Sequence, residues 1–108
     1  MNSGRGYYVY MMQSPSRHAF YIGVTSNLSK RVGEHKLHLL PGFSATHNTT
    51  RLVFFERFSD IRSALDRETQ LKHWRRSKKE WLIQQMNPAW RDLAEDWGQQ
   101  FLPDPPKT

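Results

Sequence analysis

The chain has 108 residues, with 16 lysines and arginines against 10 aspartates and glutamates, and it contains no cysteine. This length predicts one domain with a modest core, and the lack of cysteine excludes disulfides, thiolate metal sites and a thiol nucleophile. The sequence has neither an apolar run long enough to span a bilayer nor a signal peptide, so we expect a cytoplasmic protein. The net charge of +6 favours a polyanionic partner, because each phosphate contact releases counterions.

The pattern of apolar residues predicts three strands and three helices in the order β-β-α-β-α-α. In chain order we expect a strand over 6–13, a turn over 14–18, a strand over 19–25, a helix over 28–39, a loop over 42–50, a strand over 51–58, a helix from 61 to about 76 and a helix from 77 to 86. Such an order indicates a mixed α/β fold, with a small, mainly antiparallel three-stranded sheet flanked by helices.

Local signals mark the ends of these helices. Ser26 or Asn27 is the predicted N-cap of the first helix, and Pro41-Gly42 ends it. Asp60 is the predicted N-cap of the second, and Ser77-Lys78-Lys79-Glu80 has the spacing of a capping box for the third. We therefore expect helix starts at 28, 61 and about 77.

The end of the chain is rich in tryptophan and then in proline. Asn87-Pro88 ends the third predicted helix, and one or two further amphipathic turns are expected over 90–97. We expect one domain over residues 1–97 and a flexible tail over 98–108. The four tryptophans are interpreted as core and helix-packing residues: Trp74, Trp81, Trp90 and Trp97.

The predicted hairpin places several tyrosines together. Strand alternation puts Tyr8 and Tyr10 on one face of the first strand, and Tyr21 and Gly23 on one face of the second. Gly23 lies inside a strand, where the missing side chain predicts close approach by a ligand or a neighbouring side chain.

Each of the first two helices aims an ionisable group inward. His35 falls in the middle of the buried stripe of the first helix, with Arg31 at its edge. Glu68 lies at the centre of the second stripe, which is marked by Ile61, Ala64, Leu65 and Leu71. A carboxylate on an apolar face must be paired, hydrogen-bonded or bound to a metal. The two interpretations are a structural pair of Glu68 with Arg31 or His35, and an active site.

Taken together, these residues form a known pattern. The sequence Tyr8-Val9-Tyr10, a turn and then Tyr21-Ile22-Gly23 resembles the paired motif of the GIY-YIG nuclease superfamily. Arg31, His35 and Glu68 then follow on helices in the family's order, and Asn87 completes the set. The runs Gln70 to Arg76 and Asn87 to Trp90 resemble its small stand-alone bacterial members. Tyr8 departs from the pattern, since the family usually has glycine there.

The resemblance implies a metal-dependent endonuclease. Glu68 would bind one Mg²⁺ or Mn²⁺, and Arg31 would contact the scissile phosphate. Tyr10 would accept the proton of the attacking water if nearby positive charge lowers its pKa, Tyr21 would orient water or phosphate, and His35 would relay protons or contact phosphate. Asn87 and Gly23 would support the site. The family's extra His or Lys after the first helix could be His47, which we leave outside the core set.

The expected partner is nucleic acid, DNA rather than RNA, with a role in DNA repair or recombination. A basic run could follow its backbone, and as a solvated helix face it could equally have no ligand: Lys72, Arg75, Arg76, Lys78 and Lys79. The pair His35-x-x-His38 lacks a third ligand for zinc. The alternative function is a non-catalytic nucleic-acid-binding module with the same fold.

Overall fold

The computed structural model describes residues 6–16, 19–37 and 49–95, and within them it contains three strands and three helices. The strands are β1 (Tyr7–Gln13), β2 (Phe20–Thr25) and β3 (Arg51–Phe58), and the helices are α1 (Leu28–Lys36), α2 (Ile61–His73) and α3 (Arg76–Met86). The predicted mixed α/β class and element order are confirmed. The predictions for Pro41-Gly42, most of the 42–50 loop, His38, His47, Trp97 and the tail fall outside the described residues.

The three strands form an antiparallel sheet in the order β2-β1-β3. The hairpin is closed by a hydrogen bond of 3.1 Å from the Ser14 amide to the Ala19 carbonyl. On β3 the register shifts, since Met11 faces Phe54 whereas Met12 faces Leu52. Val53 is therefore the extra residue of a β-bulge, and both Val53 and Phe54 join the same apolar cluster.

One face of the sheet carries the main apolar core. Val9 and Met11 of β1 pack there with residues of α2 and α3, which cover this face. The buried members of this cluster, which we call the apolar face, are Val9, Met11, Ile22, Val53, Phe54, Ala64, Leu71 and Ile83. A strand alternates its side chains, so the intervening residues of β1 point to the opposite face.

The opposite face packs against α1 and the segment that follows α3. Tyr10 and Met12 lie there with Leu28 and Val32 of α1, and Ala94 closes the cluster. We call this side the tyrosine face. Because α1 lies on it, the ionisable groups of that helix are brought to the two tyrosine-bearing strands.

The caps of the first two helices follow the sequence, but α1 is shorter than predicted. The side chain of Asn27 accepts from the Lys30 amide, and that of Asp60 accepts from the Ser63 amide. The prediction that the first helix runs to Leu39 is wrong, since it ends at Lys36 with Leu37 as its C-cap.

The boundary between the second and third helices also differs. A continuous helix to about Arg76 was expected, but α2 ends at His73 because Trp74 and Arg75 are extended, with ψ of 148° and 156°. Two cations lie over the Trp74 ring: Arg67 at 5.3 Å and Lys78 Nζ at 4.2 Å from the ring centroid. The boundary contains no proline or glycine, and the Trp74 ring also packs against the apolar face.

The predicted capping box is wrong. Ser77 is the second residue of α3 and not its N-cap, which is Arg75 without a side-chain cap bond. Glu80 instead pairs with Arg76, one turn earlier, at 3.1 Å. The spacing that suggests a capping box also suits an ordinary ion pair on a helix face.

Two predictions of burial fail on the helix surfaces. Ile61 and Leu65 are exposed, whereas Ala64 and Leu71 of the same predicted stripe are fully buried. Trp81 is 54% exposed, so its assignment to the core is wrong, whereas Trp74 and Trp90 pack against the apolar face. The buried stripe of α2 is therefore narrower than its apolar residues suggest.

The segment after α3 is held by polar contacts rather than by the predicted helical turns. Trp90 has a φ of 56°, which is rare for a residue with a large side chain. Its ring stacks on Phe20, and its carbonyl accepts from the Arg51 guanidinium at 2.6 Å. Asp92 accepts from the Leu52 amide at 3.0 Å and pairs with Lys36. The segment thus ties β3 to the end of α1.

None of the helices in the described ranges has the length and apolar character needed to cross a bilayer.

Candidate active site

A buried pair of polar side chains lies at the centre of the tyrosine face. The Tyr10 hydroxyl and His35 Nε2 are 3.0 Å apart and form a hydrogen bond. Both residues are 1% exposed, so each satisfies the other in a place that bulk water does not reach. Tyr21 completes the group, with its ring centroid 4.8 Å from that of His35 and 6.1 Å from that of Tyr10.

Gly23 makes room for this arrangement. The sheet register places it directly opposite Tyr10, and a Cβ built on Gly23 would lie 2.7 Å from the Tyr10 hydroxyl oxygen. Real Cβ atoms do not approach other atoms so closely, so the absent side chain lets the Tyr10 ring lie flat across β2. The expected close approach is therefore made by a neighbouring side chain.

The environment shifts both ionisable groups of the pair toward their neutral forms. Burial lowers the pKa of His35 to about 4, and the Arg31 guanidinium acts in the same direction. Burial also raises the pKa of Tyr10 well above its usual range, Tyr21 adds to this, and Arg31 opposes it only in part. Arg31 therefore lowers the pKa of Tyr10, as expected of a nearby positive charge, but desolvation outweighs it and the net shift is upward.

Arg31 lies one helical turn before His35, at the exposed edge of the site. Its guanidinium is half-exposed and pairs with Glu34 at 3.3 Å. Because the same guanidinium acts on the pKa values of Tyr10 and His35, its charge is directed into the tyrosine face. A half-exposed arginine beside a buried neutral pair can contact an anion from solvent.

Glu68 approaches the same site from α2. It lies between Ala64 and Leu71 on the buried stripe of that helix, and its side chain is 19% exposed. Its carboxylate is close enough to raise the pKa of Tyr10. The structural pairing predicted as an alternative, with Arg31 or His35, is wrong, because Glu68 pairs with Lys72 at 3.2 Å.

The donor set suits a cation that keeps most of its water. Within the described residues no group of three or more His, Cys, Asp or Glu side chains is placed to hold a metal. Mg²⁺ and Mn²⁺ are commonly bound through one or two carboxylates together with water and substrate phosphate. Glu68 fits that role, with the remaining ligands coming from solvent and substrate.

Asn87 has a structural position at the end of α3. Its amide donates to the Val53 carbonyl at 3.3 Å and to the Arg91 carbonyl at 2.8 Å, and its side-chain oxygen accepts from the Arg91 amide. These bonds join the bulge of β3 to the C-terminal segment. They support the sheet behind the site.

The predicted basic run is divided among different contacts. Arg76 lies 4.5 Å from the ring centroid of Phe20, and Lys78 lies over Trp74, so both cations sit against aromatic rings. Arg75 is exposed at the start of α3. Lys72 pairs with Glu68, and Lys79 is half-buried.

Sequence reasoning missed two contacts of the site residues. Glu34 binds Arg31, and Lys72 binds Glu68, each within one helical turn. The signal was present, since opposite charges three or four residues apart meet on a helix. Tyr8, where the GIY-YIG motif usually has glycine, packs its ring edge-on against Phe55 and leaves Tyr10 in place.

The comparison with protein families agrees with this site. A model described as the GIY-YIG catalytic domain matches residues 6–81, which include both tyrosines, Arg31, His35 and Glu68. The chain belongs to the GIY-YIG family. This membership places it in a nuclease superfamily, whose substrates are nucleic acids.

Relatives of this GIY-YIG protein occur in archaea and bacteria. It is 34% identical to a UPF0213 protein of Natronomonas pharaonis over 71% of this chain and 89% of the relative. It is 29% identical to a UPF0213 protein of Lacticaseibacillus paracasei over 79% of this chain and 94% of the relative. The chain is thus similar in extent to small stand-alone GIY-YIG proteins.

A solved structure shares the GIY-YIG fold described above. The solution NMR structure of a UPF0213 protein from Bacillus halodurans aligns with a TM-score of 0.53 over 84% of this chain and 97% of that one. The two sequences are 23% identical, so this likeness concerns the fold.

Proposed function

We propose that this protein is a divalent-metal-dependent endonuclease that hydrolyses phosphodiester bonds of DNA. The observation that carries the proposal is the buried Tyr10–His35 hydrogen bond, on which charges from two different helices converge. Arg31 brings a cation from α1, and Glu68 brings a carboxylate from α2. Phosphodiester hydrolysis needs both a proton acceptor and groups that compensate charge on the phosphate.

Glu68 is the proposed metal ligand. A bound Mg²⁺ or Mn²⁺ would neutralise charge on the phosphoryl oxygens and on the departing oxygen. Glu68 would hold this cation through its carboxylate, whose side chain is 19% exposed and now pairs with Lys72. The cation and Lys72 would therefore compete for the same carboxylate.

Arg31 is the proposed phosphate contact. Its half-exposed guanidinium can donate two parallel hydrogen bonds to phosphate oxygens, a geometry that lysine lacks. Glu34 holds the guanidinium from one side and thereby orients it before the substrate arrives. Tyr21, half-buried beside His35, would orient the water or the phosphate.

Tyr10 and His35 are the proposed proton acceptors, acting as a unit. The pKa of Tyr10 is raised, so a free phenolate is not available near neutral pH. The hydroxyl can nevertheless take the proton of the attacking water while it passes its own proton to Nε2 of His35. The neutral ring leaves Nε2 able to take this proton, and because burial lowers the pKa of His35 to about 4, the ring would act as a transient relay rather than keep the proton.

The setting of this activity is also part of the proposal. A chain of net charge +6 suits the polyanionic backbone of DNA, which we favour over RNA. We propose a cytoplasmic enzyme that acts in DNA repair or recombination.

The test is cleavage of labelled duplex, single-stranded, flap and branched DNAs with Mn²⁺, with Mg²⁺ or with EDTA. We expect metal-dependent cutting that falls about 1000-fold or more in Glu68→Gln, since metal stabilisation of the transition state contributes several kcal/mol. Glu80→Gln is the matched control, because it removes the same charge from an exposed ion pair on α3. It should cut like the wild type.

Two results would overturn the proposal. If Glu68→Gln still cuts DNA at the wild-type rate in a metal-dependent way, Glu68 is not the metal ligand. Salt-sensitive DNA binding by the wild type without cutting under any metal condition would instead support the non-catalytic binding module.

A further inference from the structure

A small cleft lies beside the candidate active site, at the open edge of the sheet. Its volume is about 290 Å³, and it is lined by three consecutive residues of β2 and by one lysine from each of α2 and α3: Phe20, Tyr21, Ile22, Lys72 and Lys79. Within the described residues β2 is an edge strand of the sheet, and the cleft lies along its unpaired side. Tyr21 belongs both to this cleft and to the buried tyrosine group.

We propose that this cleft binds one nucleotide of the DNA strand, directly next to the phosphate that is cut. The proposal rests on the proposed function, and it deepens it by assigning the substrate's path to particular residues. Two ammonium groups suit one phosphate, and the aromatic and aliphatic wall of β2 suits a base or sugar. A volume at the small end of ligand sites admits one nucleotide rather than a duplex.

The burial of the lysines agrees with this assignment. Lys79 is half-buried, although Ser77 and Lys78 beside it are exposed, so its aliphatic stem lies along the cleft wall. Two other members of the basic run have different positions: Lys78 lies over Trp74, which is outside the cleft lining, whereas Arg76 lies over Phe20 and so borders the cleft. The run is thus not one uniform phosphate-binding surface.

Lys72 connects the cleft to the proposed metal ligand. It lines the cleft, and its ammonium group is 3.2 Å from the Glu68 carboxylate. A phosphate in the cleft would draw Lys72 away from Glu68 and free the carboxylate for the metal. In the absence of DNA, the same ion pair competes with metal for Glu68.

The first test measures how binding of a short single-stranded DNA depends on salt, in EDTA so that nothing is cut. Lys79→Met and Lys78→Met each remove one charge from adjacent positions of α3, and Lys79 is the one that lines the cleft. We expect Lys79→Met to bind about ten-fold more weakly, with the slope of log K against log salt reduced by about 0.7, because one phosphate contact is lost. Lys78→Met should retain the wild-type slope.

The second test uses Mn²⁺ alone, without nucleic acid, with free Mn²⁺ measured by electron paramagnetic resonance. Lys72→Met should bind Mn²⁺ about three-fold more tightly than Lys79→Met, since an exposed ion pair that competes for Glu68 is worth up to about 1 kcal/mol. Both variants lose the same charge near the cleft, so the difference reports the Glu68 pair. Glu68→Gln gives the background without the proposed ligand.

The outcomes separate the cleft from the proposed function. Equal slopes of log K against log salt in Lys79→Met and Lys78→Met would overturn the cleft assignment. Metal-dependent cutting by the wild type would still support the proposed function. Equal Mn²⁺ affinities of Lys72→Met and Lys79→Met would overturn the exchange at Glu68. If the wild type neither binds nor cuts any of the DNAs, the proposed function and the cleft both fail.

Discussion

Alternate residues of β1 point into two different environments. On the apolar face, Val9 and Met11 meet Leu71 and Ile83, and these contacts contain no polar group that needs a partner. On the tyrosine face, the equally buried Tyr10 carries a hydroxyl whose hydrogen bond to His35 crosses from sheet to helix. One strand therefore contributes both to a packed core and to the buried pair that we propose as proton acceptors.

The two faces differ in the effect that a mutation has on each of them. A cavity on the apolar face costs packing energy without removing a hydrogen-bond partner. A change on the tyrosine face leaves buried polar atoms without partners or moves the Tyr10 hydroxyl. The two faces should therefore separate stability from activity, and three experiments test this.

The largest effect on stability is expected from Leu71→Ala on the apolar face. Leu71 is fully buried, so its truncation should lower the free energy of unfolding by about 2–5 kcal/mol. Leu65→Ala is the matched control, because Leu65 lies on the same helix and is 43% exposed. It should cost less than about 1 kcal/mol by denaturant unfolding. Equal losses of stability in Leu71→Ala and Leu65→Ala would contradict the finding that the buried stripe of α2 is narrow.

The next effect is an acid-dependent loss of stability through the tyrosine face. The pKa of His35 is lowered to about 4 in the folded protein, whereas the unfolded chain has the ordinary value near 6.5. Below about pH 6.5 the unfolded state binds more protons than the folded state. The free energy of unfolding therefore decreases as the pH falls from about 6.5 to about 4. Between pH 7 and pH 4 the loss that is due to His35 is roughly 3 kcal/mol.

His35→Gln isolates this contribution, since it removes the one proton while other groups titrate as before. Its free energy of unfolding should fall less between pH 7 and pH 4 than that of the wild type. His73→Gln is the control, because His73 is exposed and bonds to the Thr69 carbonyl of its own helix. If the free energy of unfolding of His35→Gln falls with acid as much as that of the wild type, His35 is not the group that causes the acid-dependent loss of stability.

A smaller effect on stability, with a larger one on cutting, is expected from Gly23→Ala. The added methyl group would lie 2.7 Å from the Tyr10 hydroxyl oxygen, so the ring must shift from the position in which it bonds to His35. Overpacking of this kind costs about 1–3 kcal/mol, and cutting should fall further than the folded fraction does. In Gly6→Ala the new atom would meet the exposed side chain of Arg57, which can move. Gly6→Ala should therefore change neither measurement appreciably.

The parts of the fold that follow from exact local rules could be predicted from the sequence. Strand alternation has a period of two, so the sequence predicts that Tyr8 shares a face of its strand with Tyr10, and that Tyr21 shares a face of its strand with Gly23. Asn27 and Asp60 cap their helices because their side chains bond to amides three residues later. The inward position of Glu68 likewise follows from helical spacing.

Other features depend on contacts between distant residues and could not be predicted. The helix breaks at Trp74, whose ring packs against the apolar face, and the bulge at Val53 is a register shift of β3 against β1. The pKa values of Tyr10 and His35 depend on burial, which a spacing pattern does not measure. The cleft requires the edge of β2 to meet two helices, so its lysines looked like any other members of a basic run.

The contacts of Asn87 and Asp92 bear on where a shortened version of this protein can end. The match to the GIY-YIG family stops at residue 81, but Asp92 holds the Leu52 amide and Lys36, and Asn87 holds the Val53 carbonyl. A fragment cut at the edge of the family match would lose these partners at the start of β3 and at the end of the helix that carries His35. Its His35 would lie on a helix whose last residue, Lys36, had lost its carboxylate partner, even though Tyr10, Tyr21, Arg31, His35 and Glu68 were all still present.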